Sequence, residues 1–294
     1  MIVRSVLRLR WLWVVLTLPP VLLWARAFPY AGLPIVVSHA ALVLLHGALH
    51  DRNAYRTRDE PRLTLLGPRL EMNPPRLVPA ISVLVLVVFG MALTMLLTDP
   101  AVAGLTILAL GTILLAHRLR SRLGAWRSRL VEVWLPAFAL AGPMLVLAWL
   151  SRQSQLDAMQ AASDPGLPVA LPEVITRANQ TATLLWCVVV GVFILACHTR
   201  DEPHDRCDGL LTTPTVFGPR GASVALALWA GLALLLGAYG NGHRLWTWPV
   251  LGSLGIGAML LAWCCGSGRT DRAVIAWTAC AAIAGVCLVG RLTF

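Results

Sequence analysis

Four of the chain's 14 acidic side chains, Asp201, Glu202, Asp205 and Asp208, crowd into the stretch HTRDEPHDRCDGLLTTPTVFG at 198–218, with His198 at its head. The stretch follows directly on an apolar run from Thr183 to Cys197. A charged group at the bilayer centre costs roughly 2.5 to 3.5 kcal/mol on insertion scales, so the cluster belongs at a membrane face or in a water-filled cavity. In a helix continued past His198, Asp201 and Asp205 are one turn apart and Asp208 nearly two, which puts the three carboxylates on one side. Such a side has the chemistry to hold a hard divalent cation, since Mg²⁺ takes one or two carboxylates and fills its other positions with water and phosphate oxygens. Pro203 removes one backbone donor and predicts a kink or an end to the helix there. The plain alternative is a solvated loop of mixed charge.

A second polar cluster lies in GALHDRNAYRTRDEPRLTLLGPRL at 47–70, which supplies Asp51, Asn53, Tyr55, Asp59 and Glu60. The string TRDEP, Thr57 to Pro61, recurs as Thr199 to Pro203. The two copies follow the second and the sixth apolar segments, which points to two related helical modules. Short arginine-rich strings also arise from composition alone.

The elements that must position these groups are membrane helices. The chain of 294 residues is 57% hydrophobic and 13% charged, with a mean hydropathy of +0.73, the composition of a polytopic membrane protein. About 20 apolar residues span the hydrocarbon core. Nine segments qualify, near 11–28, 32–50, 77–98, 100–116, 130–150, 179–198, 222–240, 246–266 and 272–291, in one domain over 1–294. The first resembles a signal peptide, but it runs on through Pro19 and Pro20 without an evident small-residue cleavage site and is expected to be the first transmembrane helix.

All 24 basic residues are arginine. Threading nine spans puts 19 of them on one side, in the N-terminus and in 51–76, 117–129, 199–221 and 267–272, and leaves five on the other. By the positive-inside rule the rich side, and both acidic clusters with it, is cytoplasmic; the C-terminus is expected outside. The formal charge of +10 is thereby read as topology, and no nucleic-acid partner is expected. The seven cysteines lie mostly within apolar runs without metal-ligand spacing and read as small core residues. Most of the twelve tryptophans read as interface anchors. Trp186, in mid-span beside the second cluster, has the alternative of lining a pocket there.

With nine spans and two polar clusters on one side, the chain resembles the UbiA superfamily of intramembrane prenyltransferases. The second cluster carries the resemblance. The family's pattern D-x-x-D-x-x-x-D-R-x-x-G-x-x-T with a following glycine meets His198, Asp201, Asp205, Arg206, Gly209, Thr212 and Gly218, and departs only at the first aspartate. The family's first pattern, N-D-x-x-D-x-x-x-D and a later R-P-x-x-S-G, falls on Gly47, Ala48, Asp51, Tyr55, Arg62 and Gly67, so that Asp51 alone survives of its four ligands. Asn53, Asp59 and Glu60 are near enough to substitute. In the third cytoplasmic loop, where the family has a tyrosine and a lysine, this chain has His117, Arg118, Arg120 and Arg122.

The resemblance implies an all-α integral membrane protein with nine transmembrane helices around a central cavity. It implies Mg²⁺, or Mn²⁺ in its place, held by Asp51, Asp201 and Asp205, with His198, Tyr55, Asn53, Asp59 and Asp208 as possible substitutes. Arg62, Arg118, Arg120, Arg122 and Arg206 would meet a diphosphate, the alternative for each being membrane anchoring. The expected partners are a prenyl diphosphate substrate and the lipid bilayer. Three activities stay open: prenyl transfer to a lipid-soluble acceptor, cyclisation of the prenyl chain without an acceptor, and a non-catalytic relative. The apolar pocket residues specify volume and not chemistry, so acceptor, chain length and oligomeric state have no signature in the chain.

Overall fold

The computed structural model describes residues 16–23, 36, 173–207 and 212–291. Four helices dominate this part: α1 (Glu173–Cys207), α2 (Thr213–Gly242), α3 (Trp248–Gly266) and α4 (Thr270–Arg291). Each is long and apolar enough to cross a membrane. They fall on the last four of the nine expected segments. Residues 16–23, within the first expected segment, are helical as well; the segments from 77 to 150 lie outside the described residues, as does all of the second but residue 36.

Local chemistry explains where the helices begin and end. Both α2 and α3 start from a threonine in extended conformation, Thr212 and Thr247, with proline in the first turn. A proline there forfeits only an N–H that has no helical partner anyway. The Thr212 N–H donates to Thr215 Oγ1 at 2.8 Å, which closes the turn onto the helix. At the other end, α3 finishes on a left-handed Gly268 (φ +71°). There Gly268 N–H donates to the Cys265 carbonyl at 3.1 Å and Arg269 N–H to that of Cys264 at 2.8 Å. This is a Schellman cap. The end of α2 repeats the pattern, with Arg244 N–H on Asn241 at 3.0 Å and Leu245 N–H on Gly240 at 2.8 Å. Here an arginine, at φ +56°, holds the left-handed position.

The four helices close a ring in which α1 touches α2 and α4, and α3 packs on α2 and α4 across from α1. Helix α1 is the central element. Of its apolar stretch 83% is buried within the protein, against 28% for α2 and for α3. Those two helices turn Leu228, Leu235, Ile256 and Met259 outward. Such a surface is an aggregation hazard in water and costs nothing against lipid chains.

Tryptophans seated against glycines lock the contacts. The Trp229 ring lies on Gly191, joining α2 to α1, and the Trp246 ring lies on Gly240. Trp277 and Cys280 of α4 press on Gly257 of α3, while Pro19 and Trp186 press on Gly285. Small residues let helix backbones approach closely where no hydrophobic force drives association. The buried indoles then satisfy their own N–H groups on backbone carbonyls, Trp186 on Leu16 at 2.7 Å, Trp246 on Gly237 at 2.8 Å and Trp277 on Val189 at 3.1 Å. Six described cysteines are thiols, buried or half-buried in these helices, and fill space as expected.

Candidate functional site

The second acidic cluster sits on the far end of the most buried helix. α1 continues ten residues beyond Cys197, through Pro203 and as far as Cys207, so the helix neither ends nor unwinds at the proline. The cost is confined to the Thr199 carbonyl, which loses its donor four residues on. His198, Asp201 and Asp205 therefore share one helical face, at spacings of three and four. Asp205 is placed by its backbone alone.

Arg200 determines the electrostatics. Its Nε and Nη2 donate to Asp201 Oδ1 and Oδ2 at 2.8 and 2.9 Å, a two-pronged charge-assisted pair. The two side chains are 11% and 18% exposed, so the pair is well shielded from water. From α4, Asp271 Oδ1 approaches the same Nε at 3.9 Å. One arginine thus serves carboxylates on two helices, and it ties the polar end of α1 to the first turn of α4. One turn further along α1, Arg206 Nη2 reaches Glu202 Oε1 at 2.5 Å. Arg206 is largely exposed, and a pair of that kind contributes at most about 1 kcal/mol.

Two further positions of the pattern have backbone roles. Thr212 is the buried N-cap of α2. Gly218 has φ +71° and ψ −179°, a region essentially reserved for glycine. It breaks α2 into a short first turn and a long span, with Pro219 starting the second piece.

Several expected site residues lie outside the described residues: Asp51, Asn53, Tyr55, Asp59, Glu60, Arg62, His117, Arg118, Arg120, Arg122, Asp208 and Gly209. Among the described residues no three His, Cys, Asp or Glu groups converge on one point. The described part of the site is one paired carboxylate, its arginine and His198.

Two participants escaped sequence reasoning. Arg200 has no signature in helical periodicity, since adjacent residues do not face each other, yet its long side chain curls back onto the short Asp201. Asp271 carried one available signal: threading puts 267–272 on the same side as 199–221. Trp186, offered as a pocket residue, is 1% exposed and packed against Pro19 and Gly285, with its N–H on Leu16.

The arrangement offers an anion-accepting guanidinium beside a carboxylate at the end of a membrane helix. No known protein family, curated protein or solved structure matches the chain.

Proposed function

We propose that this chain is a UbiA-like integral membrane enzyme of nine spans that moves a prenyl group from a prenyl diphosphate to a lipid-soluble acceptor. The observation that carries the reading is the unbroken helix through Pro203, which aligns His198, Asp201 and Asp205 beside a guanidinium at the end of an apolar bundle. Gly218 adds support, because the glycine that closes the pattern occupies a backbone conformation that other residues avoid.

The Asp201 carboxylate suits a hard cation. Each of its oxygens accepts one N–H from Arg200 and keeps a second lone pair for another partner. Asp201, with Asp205 and with Asp51 from the first cluster, would hold Mg²⁺ or Mn²⁺. The ion supplies neutralisation of the charge that develops on a departing diphosphate. Arg200 and Arg206 add fixed positive charge at the same end, where it favours the anionic leaving group over the bound ester. The apolar helix walls keep water from the prenyl carbon.

Incubation of the purified protein with labelled geranylgeranyl diphosphate and Mg²⁺, with and without an aromatic acceptor, tests the proposal. A prenylated acceptor supports transfer. A cyclic hydrocarbon formed without acceptor replaces transfer by cyclisation. An intact diphosphate in both reactions overturns the enzyme reading.

A further inference from the structure

Arg200 is held unequally by its two carboxylates. Asp201 takes the guanidinium in a fork of two short hydrogen bonds, whereas Asp271, at 3.9 Å, is beyond hydrogen-bond reach and holds it by charge alone. The two carboxylates differ in the same sense: Asp201 is 18% exposed and Asp271 68%. A hydrated carboxylate without a hydrogen bond is the exchangeable member of such a trio.

We propose that Asp271 is a competing counter-ion for the diphosphate-binding end of the site. It balances the Arg200 charge from the Nε side until a diphosphate bound at the free N–H groups takes over that role, and so couples helix α4 to the loading of α1. The inference rests on the diphosphate reading above. The fork uses two of the five guanidinium N–H groups, which leaves three for a phosphate oxygen. A diphosphate carries more charge than one carboxylate and so competes with Asp271 for the charge of Arg200. The first turn of α4 favours an anion whichever group supplies it, so the exchange does not cost that helix end its counter-charge. The other described arginines on this side, Arg206, Arg220, Arg269 and Arg272, are all exposed, unlike Arg200. Arg206 is engaged by Glu202, and Arg269 lies 5.8 Å from the Trp263 ring centroid, on the outward surface of α3. Arg272 is exposed beside Asp271.

Removing a competitor should tighten binding, and only by way of Arg200. The full chain in phosphate-free detergent is titrated calorimetrically with inorganic pyrophosphate at fixed Mg²⁺, as wild type, Asp271→Asn, Arg200→Gln and the double variant. The expected result is a Kd about two- to fivefold lower in Asp271→Asn, the range of an exposed ion pair, and no gain from the same change in the Arg200→Gln background. Asp271 is exposed, so its variant keeps the fold. An unchanged or weaker Kd in Asp271→Asn overturns the proposal. A gain that persists without Arg200 also overturns it, since that marks a general field effect. If wild type turns over prenyl diphosphate while Asp271→Asn binds as before, the inference fails and the enzyme reading stands. If wild type neither binds pyrophosphate nor turns over a prenyl diphosphate, both fail.

Discussion

Trp186 donates its indole N–H to the carbonyl of Leu16 at 2.7 Å, and that carbonyl is the one Pro20 leaves without a helical donor. In an α-helix the carbonyl of residue 16 accepts from the N–H of residue 20, which proline lacks. The central helix thus repairs a defect in another helix 170 positions away in the chain. Asn179 stands at the other end of the same contact, its Nδ2 at 3.4 Å from the Leu23 carbonyl.

A double-mutant cycle measures this repair. Trp186→Phe should cost about 1 to 3 kcal/mol, the penalty of a buried carbonyl with no donor. In a Pro20→Ala background, where the backbone N–H is restored, the hydrogen-bond part of the loss should disappear. Thermal unfolding of the four proteins in detergent gives the coupling. Strict additivity would contradict the account.

The tryptophan seats make a second prediction. A methyl group at Gly191 or Gly240 would overlap the Trp229 or Trp246 ring. The Trp246 ring cannot withdraw without giving up its bond to Gly237. Gly191→Ala and Gly240→Ala should each destabilise by about 1 to 3 kcal/mol. Gly231, in the same helix α2, has open space around it. There alanine should be neutral or stabilising by up to ~1 kcal/mol. Equal effects at all three positions would refute the packing model.

Two backbone positions should respond in opposite directions. Gly218→Ala meets no obstruction but must adopt φ +71° with an extended ψ, at a cost of about 1 to 3 kcal/mol. Arg244 already occupies a left-handed cap. Arg244→Gly relieves that strain and should stabilise by up to about 1 kcal/mol. Unfolding midpoints that shift the same way for both would reject the strain argument.

Turnover should depend on the carboxylates of α1. Asp201→Asn is the informative change, because it keeps an acceptor for the shielded Arg200 while removing the charge; Asp201→Ala would strand the guanidinium as well. Asp201→Asn and Asp205→Ala should each lower the rate with labelled prenyl diphosphate by roughly a hundredfold or more. Asp208→Ala should be milder, since the family pattern has no ligand there. Wild-type rates in the first two variants across an Mg²⁺ titration would remove both residues from the site.

The last four membrane helices were legible in the sequence because their causes are local. A run of apolar residues sets each span. The polar extension of α1 to Cys207 and the first turn of α2 were harder to bound, since apolarity ends before the helix does at Cys197 and begins only after Gly218. Alignment of Asp201 with Asp205 followed from periodicity once the helix was granted, while Asp208, expected on the same side, lies outside the described residues. Tertiary structure alone decided the rest. That α1 is the central helix depends on which neighbours cover it, and no pattern within α1 records them. Arg200 met both Asp201 and Asp271 because a flexible guanidinium can serve two helices at once. Trp186 became a donor to Leu16 because Pro20 had opened an acceptor, and a need created in one helix can be met by any side chain that the fold brings within reach.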